Sequence, residues 1–138
     1  FLADCMKEKM PTLLASKAGL QVACGLFNIL EARDRKLVVK SLAEPLKEMA
    51  TNRIASQFIA HILNTLDDTV ISKKKIIHDL MLMIDESVED INFQKIFIAI
   101  QAPGSRRYFD EEEIQAFEAL QNFTTSKKDS KTRRVELM

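Results

Sequence analysis

The stretch Ser16 to Leu30, "SKAGLQVACGLFNIL", is apolar almost all round, with Lys17 its only charged residue and Gly19 and Gly25 inside it. A helix on the outside of a small globule shows one apolar stripe and one charged face. This pattern therefore predicts a helix covered on several sides by its neighbours. The frame returns further along. "ASQFIAHILNTL" from Ala55 aligns with "GLQVACGLFNIL" from Gly19, Gln57 matching Gln21 and Ile62-Leu63 matching Leu26-Phe27, and "FQKIFIAI" from Phe93 fits again. The offsets, 55 − 19 = 36 and 93 − 55 = 38 residues, fall in the range of solenoids built from stacked helical units.

The rest of the chain fits around these three long helices. Leu2 to Met10 reads as a helix ended or kinked at Pro11, with a short turn to Ala15 and Ser16 as N-cap. Ala32 to Glu44 follows as a second helix with Leu37, Val38 and Leu42 inward, and Pro45 opens a short helical piece. Thr51 or Asn52 caps the next long helix, whose Ile54, Phe58, Ile59, Ile62, Leu63 and Leu66 lie at helical spacing. Asp67 to Thr69 supplies a turn into a helix running to about Ile84, with Ile76, Ile77, Leu80 and Ile84 as its buried stripe. Asp85 to Asp90 repeats the short piece, and Ile91 to Gln101 the long helix. Ala102 to Phe109 is a Pro-Gly-Ser loop, and Asp110 caps a last helix through about Asn122. From Thr124 the polar run "TTSKKDSKTRRVELM" reads as a flexible tail.

The expected organisation is an all-α solenoid of three-helix units. Residues 1–15 end a preceding unit and lead in, 16–51 and 52–90 are full units, 91–123 is a partial or capping unit, and 124–138 is a charged tail. Three glycines and three prolines in 138 residues leave little material for hairpin turns, which agrees with the absence of a β pattern. Twenty basic and twenty acidic residues cancel, so any attraction to a polyanion has to come from local patches. Two cysteines, Cys5 and Cys24, do not make a disulfide framework. No apolar run approaches a membrane span. The chain opens on Phe1, as a piece of something longer would.

Three phrases carry a resemblance: "ARDRKLVVKSL" (Ala32 to Leu42), "LDDTVISKKKII" (Leu66 to Ile77) and "AIQAPGSRRYFDEEEI" (Ala99 to Ile114). In register with the repeats, they are similar to the Pumilio/PUF family, most closely its divergent Puf-A or penguin-like branch, over nearly all of Phe1 to Leu120. The resemblance implies a solenoid of stacked Pumilio-like (armadillo-like) repeats, of which this chain is the C-terminal part. It implies RNA as partner with little sequence preference, in ribosome biogenesis, rRNA processing or translational regulation. It also implies a nuclear, nucleolar location, with pre-ribosomal proteins as further partners and a monomeric state.

Sequence-reading PUF repeats recognise one base per repeat through two or three side chains of one helix. By register these positions are Leu20, Gln21 and Cys24, then Ser56, Gln57 and Ala60, then Gln94, Lys95 and Ile98. None of the central residues is aromatic or Arg. Leu20, Ala60 and Ile98 cannot hydrogen-bond a base edge, and Cys24 can do so only weakly. Base-by-base readout is therefore not expected. Phosphate contact is open to Arg33, Arg35 and Lys36, to Lys73, Lys74 and Lys75, to Lys95, and to Arg106 and Arg107. Glu31, Asp34 and Asp110 to Glu113 dilute these clusters.

No catalytic constellation stands out. His61 and His78 are the only histidines and lack partners at metal-ligand spacing, and there is no Gly-rich phosphate loop or nucleophile elbow. The expectation is a non-enzymatic protein without cofactor or metal. An alternative role is a helical-repeat docking scaffold that touches protein and no RNA.

Overall fold

The computed structural model describes residues 2–66, 69–101, 111, 114–115 and 136–137, and among these its regular structure is all helix, joined by short turns. The helices are α1 (Leu2–Leu13), α2 (Lys17–Ile29), α3 (Ala32–Ser41), α4 (Leu46–Ala50), α5 (Ala55–Thr65) and α6 (Thr69–Ile71). A π-helical segment (Ser72–Ile77) follows, then α7 (His78–Leu82), α8 (Ile84–Ser87) and α9 (Ile91–Gln101).

Each long helix starts on a side-chain cap, and the caps keep the repeat spacing. Ser16 Oγ accepts from Gly19 N at 3.1 Å, Asn52 Oδ1 from Ala55 N at 3.0 Å, and Asp90 Oδ1 from Phe93 N at 3.2 Å. Ser16 to Asn52 is 36 residues and Asn52 to Asp90 is 38. A cap satisfies one of the amide donors that a helix start leaves without a carbonyl partner. Gly19, Ala55 and Phe93, equivalent by sequence, are thus equivalent in hydrogen bonding as well.

The long helices stand side by side, α2 against α5 and α5 against α9, while α3 packs on the π segment in a second row. α1 touches both α2 and α3, and α4 packs on α5, α7 and α9. The main core lies between these elements. Phe27, Val38, Phe58, Ile59, Ile62, Leu63, Ile76 and Leu80 are fully enclosed in it. α5 is buried at every position except Gln57, which explains why its sequence shows no charged face.

The second helices reveal where the period changes. Val38 and Ile76 are both enclosed, as are Leu42 and Leu80, at an offset of 38, whereas Leu30 and Leu66, just upstream, match at 36. Two extra residues therefore enter between Leu66 and Ile76, and the π-helical turn lies in that stretch. Wider i→i+5 turns arise where a helix must absorb a residue without losing its buried stripe.

Four expectations are corrected. Pro11 does not end α1, which runs on to Leu13, and Leu14 N still bonds to Met10 O at 3.0 Å. Only the hydrogen bond that Pro11 itself cannot donate is missing. Leu37 points outward at 42% exposure, because the buried stripe of α3 runs through Arg35, Val38, Val39 and Leu42. α3 stops at Ser41, short of Glu44. In the expected tail, Glu136 and Leu137 are helical and Leu137 joins the main core. Asp67 and Asp68, the loop at 102–109, Asp110, Phe117 and Leu120 lie outside the described residues.

Candidate functional site

The nine positions carried over for base reading lie on the row of long helices, and four of them are closed to a ligand. Leu20 and Cys24 on α2 and Ser56 and Ala60 on α5 are buried. Ala60 joins Ala99 and Ile114 in a small apolar cluster separate from the main core, with Ile98 packed against it. Two of the nine positions thus belong to an apolar cluster that an isoleucine from further along the chain completes. Burial pushes the Cys24 thiol up to about 12, so it stays a protonated, weak donor. Gln21 and Gln94 are exposed, and Gln57, Lys95 and Ile98 are half-buried. The Gln57 side chain donates to Arg53 O at 3.2 Å and that of Gln94 to Val88 O, 2.6 Å.

Among the residues expected to meet phosphate, Arg35 is corrected. It is 3% exposed, with Nε donating to Phe27 O at 3.1 Å and Nη2 to Asn28 O at 2.7 Å. The last carbonyls of a helix lack an i+4 amide partner and carry the negative end of its dipole, so a guanidinium satisfies them well. At Phe27 O the cap amide of Leu30 also donates, at 3.3 Å. The cation also lies 5.3 Å from the centroid of the Phe27 ring. Arg35 is a structural clasp on the end of α2 and is not available to a ligand.

Beside this clasp runs a buried polar seam joining two units. His61 Nε2 lies 2.7 Å from Asn28 Oδ1, and Thr65 Oγ1 is 3.5 Å from the same nitrogen. Asn64 Nδ2 donates to Ala60 O and, across to α9, to Ala99 O at 3.2 Å. Burial and the nearby Arg35 charge lower the His61 pKa to about 4, against a smaller opposing effect of a hydrogen bond with the Cys24 backbone. The ring is therefore neutral at physiological pH and serves as a packing and hydrogen-bonding group. His78, in contrast, is exposed.

Of the remaining cations expected to meet phosphate, Lys95 is half-buried on α9 in the long row, and the others described sit on the second row. Arg33 is exposed and Lys36 half-buried on α3, and Lys73, Lys74 and Lys75 are all exposed on the π turn. Arg106 and Arg107 lie outside the described residues. No group of three or more His, Cys, Asp or Glu side chains that could hold a metal occurs among the described residues. No described helix is long and apolar enough to cross a membrane.

Comparison with known proteins accounts for this architecture. No family model matches the chain. Pumilio domain-containing protein 12 of Caenorhabditis elegans is 26% identical over 136 residues, which are 99% of this chain and 18% of that protein. Protein penguin of Drosophila melanogaster is 26% identical over 129 residues, 94% of this chain and 17% of that protein. The fold is that of human Puf-A. Two crystal structures of Puf-A, one of them in complex with DNA, superpose with a TM-score of 0.88 at 23% identity. They cover 98% of this chain and 27% and 26% of those chains. The chain is similar to Puf-A/penguin-like members of the Pumilio family. It spans about a fifth of the length of the curated relatives it matches. Within the family frame, the long row corresponds by register to the base-reading helices, and here its middle helix α5 is almost wholly internal. The sequence pointed to the loss of suitable side chains at these positions, but not to the burial of Leu20, Cys24, Ser56 and Ala60.

Proposed function

We propose that this chain is part of an RNA-binding Puf-A-like solenoid and that it contacts the RNA backbone with little sequence preference. The observation that carries the reading is its fold, shared over 98% of its length with human Puf-A, a protein crystallised in complex with DNA. The buried reading positions support low specificity, because sequence is read by side chains that reach base edges or stack on bases. The whole protein would work in ribosome biogenesis and rRNA processing, or in translational regulation. It would act in the nucleolus, beside pre-ribosomal proteins and as a monomer. It would need no enzymatic activity of its own.

Binding of several unrelated single-stranded RNAs across a salt series tests the reading. The expected result is similar affinity for all of them and a linear fall of log K with log salt concentration. One observation favours a second role: the formal net charge is zero. Absence of any salt-dependent RNA binding would therefore favour the protein-docking scaffold.

A further inference from the structure

The cations of this chain are divided unevenly between its two rows. On the long row, α2 carries only Lys17, α5 carries no Lys or Arg, and α9 carries only Lys95. On the second row, α3 holds Arg33, Arg35, Lys36 and Lys40 against the single acid Asp34. The stretch Thr69 to Leu82 holds Lys73, Lys74 and Lys75 against Asp79. With Arg35 committed inside, α3 and the π turn, which pack directly on each other, together present Arg33, Lys36, Lys40, Lys73, Lys74 and Lys75. α1 adds Lys7 and Lys9, and α4 adds Lys47.

Repeat register aligns this charge. At the offset of 38 defined by Val38 with Ile76 and Leu42 with Leu80, Lys36 is equivalent to Lys74 and Lys40 to His78. The π turn then adds to it. Three consecutive side chains of an α-helix sweep about 200° at 3.6 residues per turn, which ordinarily turns one of them toward the core. In the wider turn the fully buried Ser72 and Ile76 bracket the triplet, and all three lysines reach solvent. Among the described residues none of these three ammonium groups is in an ion pair.

We propose that the nucleic-acid backbone is gripped on the second row, along a ridge from Lys40 and Lys36 to Lys73, Lys74 and Lys75, and not on the long helices. The proposal rests on the nucleic-acid-binding reading above and adds the path. The long row offers bases few reading groups, since Leu20, Cys24, Ser56 and Ala60 are buried and only Gln21 and Gln94 of the nine positions are exposed. Phosphates need only a run of cations on a continuous surface, and lysine supplies that as a point charge without geometric demands.

The test compares two charge-altered forms of this chain for binding a fluorescent single-stranded RNA over a salt series. K73Q/K74Q/K75Q neutralises the π turn, and Q21E/Q94E places two negative charges on the exposed part of the long row. The triple variant should bind at least about tenfold more weakly at 0.1 M salt, with its log–log salt slope shallower by about 2, as expected for three lost single-strand contacts. The long-row variant should stay within about threefold of the parent. K36Q/K40Q should act in the same direction as the triple variant, which guards against a folding defect at the π turn. The reverse pattern, with the long-row variant impaired and the lysine variants unaffected, overturns the path while leaving nucleic-acid binding intact. Failure of the unmodified chain to bind RNA overturns both. If polyglutamate binds the ridge as tightly as RNA, the surface is a dock for acidic protein and the proposal fails.

Discussion

The rings of Phe27 on α2 and Phe58 on α5 meet at 85° with centroids 6.1 Å apart, and neither side chain has measurable exposure. An edge-to-face pair contributes about 0.5–1.5 kcal/mol beyond the area it buries. Here it fastens one repeat to the next. Phe27→Ala and Phe58→Ala should each lower stability by about 3–5 kcal/mol. The double variant should lose less than the sum of the two, since the edge contact can be lost only once. Chemical denaturation checks both. A loss below about 1 kcal/mol would place either ring outside the inter-repeat core.

The two glycines of α2 should respond in opposite directions. A Cβ built on Gly19 would lie 1.8 Å from Leu13 O, and that carbonyl belongs to the backbone at the end of α1, where no rotamer change can relieve the clash. At Gly25 nothing lies within 4 Å. Gly19→Ala should destabilise by roughly 2–3 kcal/mol or more through overpacking. Gly25→Ala should stabilise by about 0.5–1 kcal/mol, because glycine in a helix interior loses more backbone freedom on folding than alanine. Thermal melts of the two single variants, moving in opposite directions, are the expected outcome.

Arg35→Ala removes two hydrogen bonds from the end of α2 and a cation from the Phe27 ring. Hydrogen bonds to charged groups are worth about 1.5–3 kcal/mol each, so a loss of roughly 3 kcal/mol is expected. Arg35→Lys should recover only part of this, because an ammonium is a point donor and cannot reproduce the planar fork. If Arg35→Ala weakened RNA binding while stability stayed unchanged, the structural clasp would be wrong.

His61 makes stability depend on pH. Its folded pKa, about 4, lies below the unfolded value of 6.5, so between these values the unfolded chain binds the extra proton and the folded chain does not. Stability contributed by the neutral ring is complete above pH 6.5 and is lost as pH falls toward 4, by about 3 kcal/mol in all. His61→Gln should flatten that part of the profile, as read from urea midpoints between pH 4 and 7. An unchanged slope would assign the pH dependence to other groups.

The repeat was legible in the sequence because burial and capping both leave marks of fixed spacing. Ser16 and Asn52 sit where an N-cap belongs, and the apolar frames behind them reproduce the stacking of α2, α5 and α9. The degraded reading positions were legible for a chemical reason: Leu20, Ala60 and Ile98 carry no group that could hydrogen-bond a base edge. Arg35 was not legible. An arginine between Asp34 and Lys36 looks like a surface cation, and its burial depends on the end of α2 arriving with carbonyls to satisfy.

The sequence by itself determined the helical class, the unit length and the frame of buried positions, because each follows from local periodicity and from caps a few residues away. The tertiary structure alone decided which cations face water, that Ile114 joins Ala60 and Ala99 in one cluster, and that Leu137 returns to the core. It also decided that Gly19 must lack a side chain, because Leu13 O comes close to it. These outcomes depend on pairs of segments that meet only after the units have stacked. A linear pattern records how a side chain is spaced along its own helix, and carries no record of what another helix will place against it.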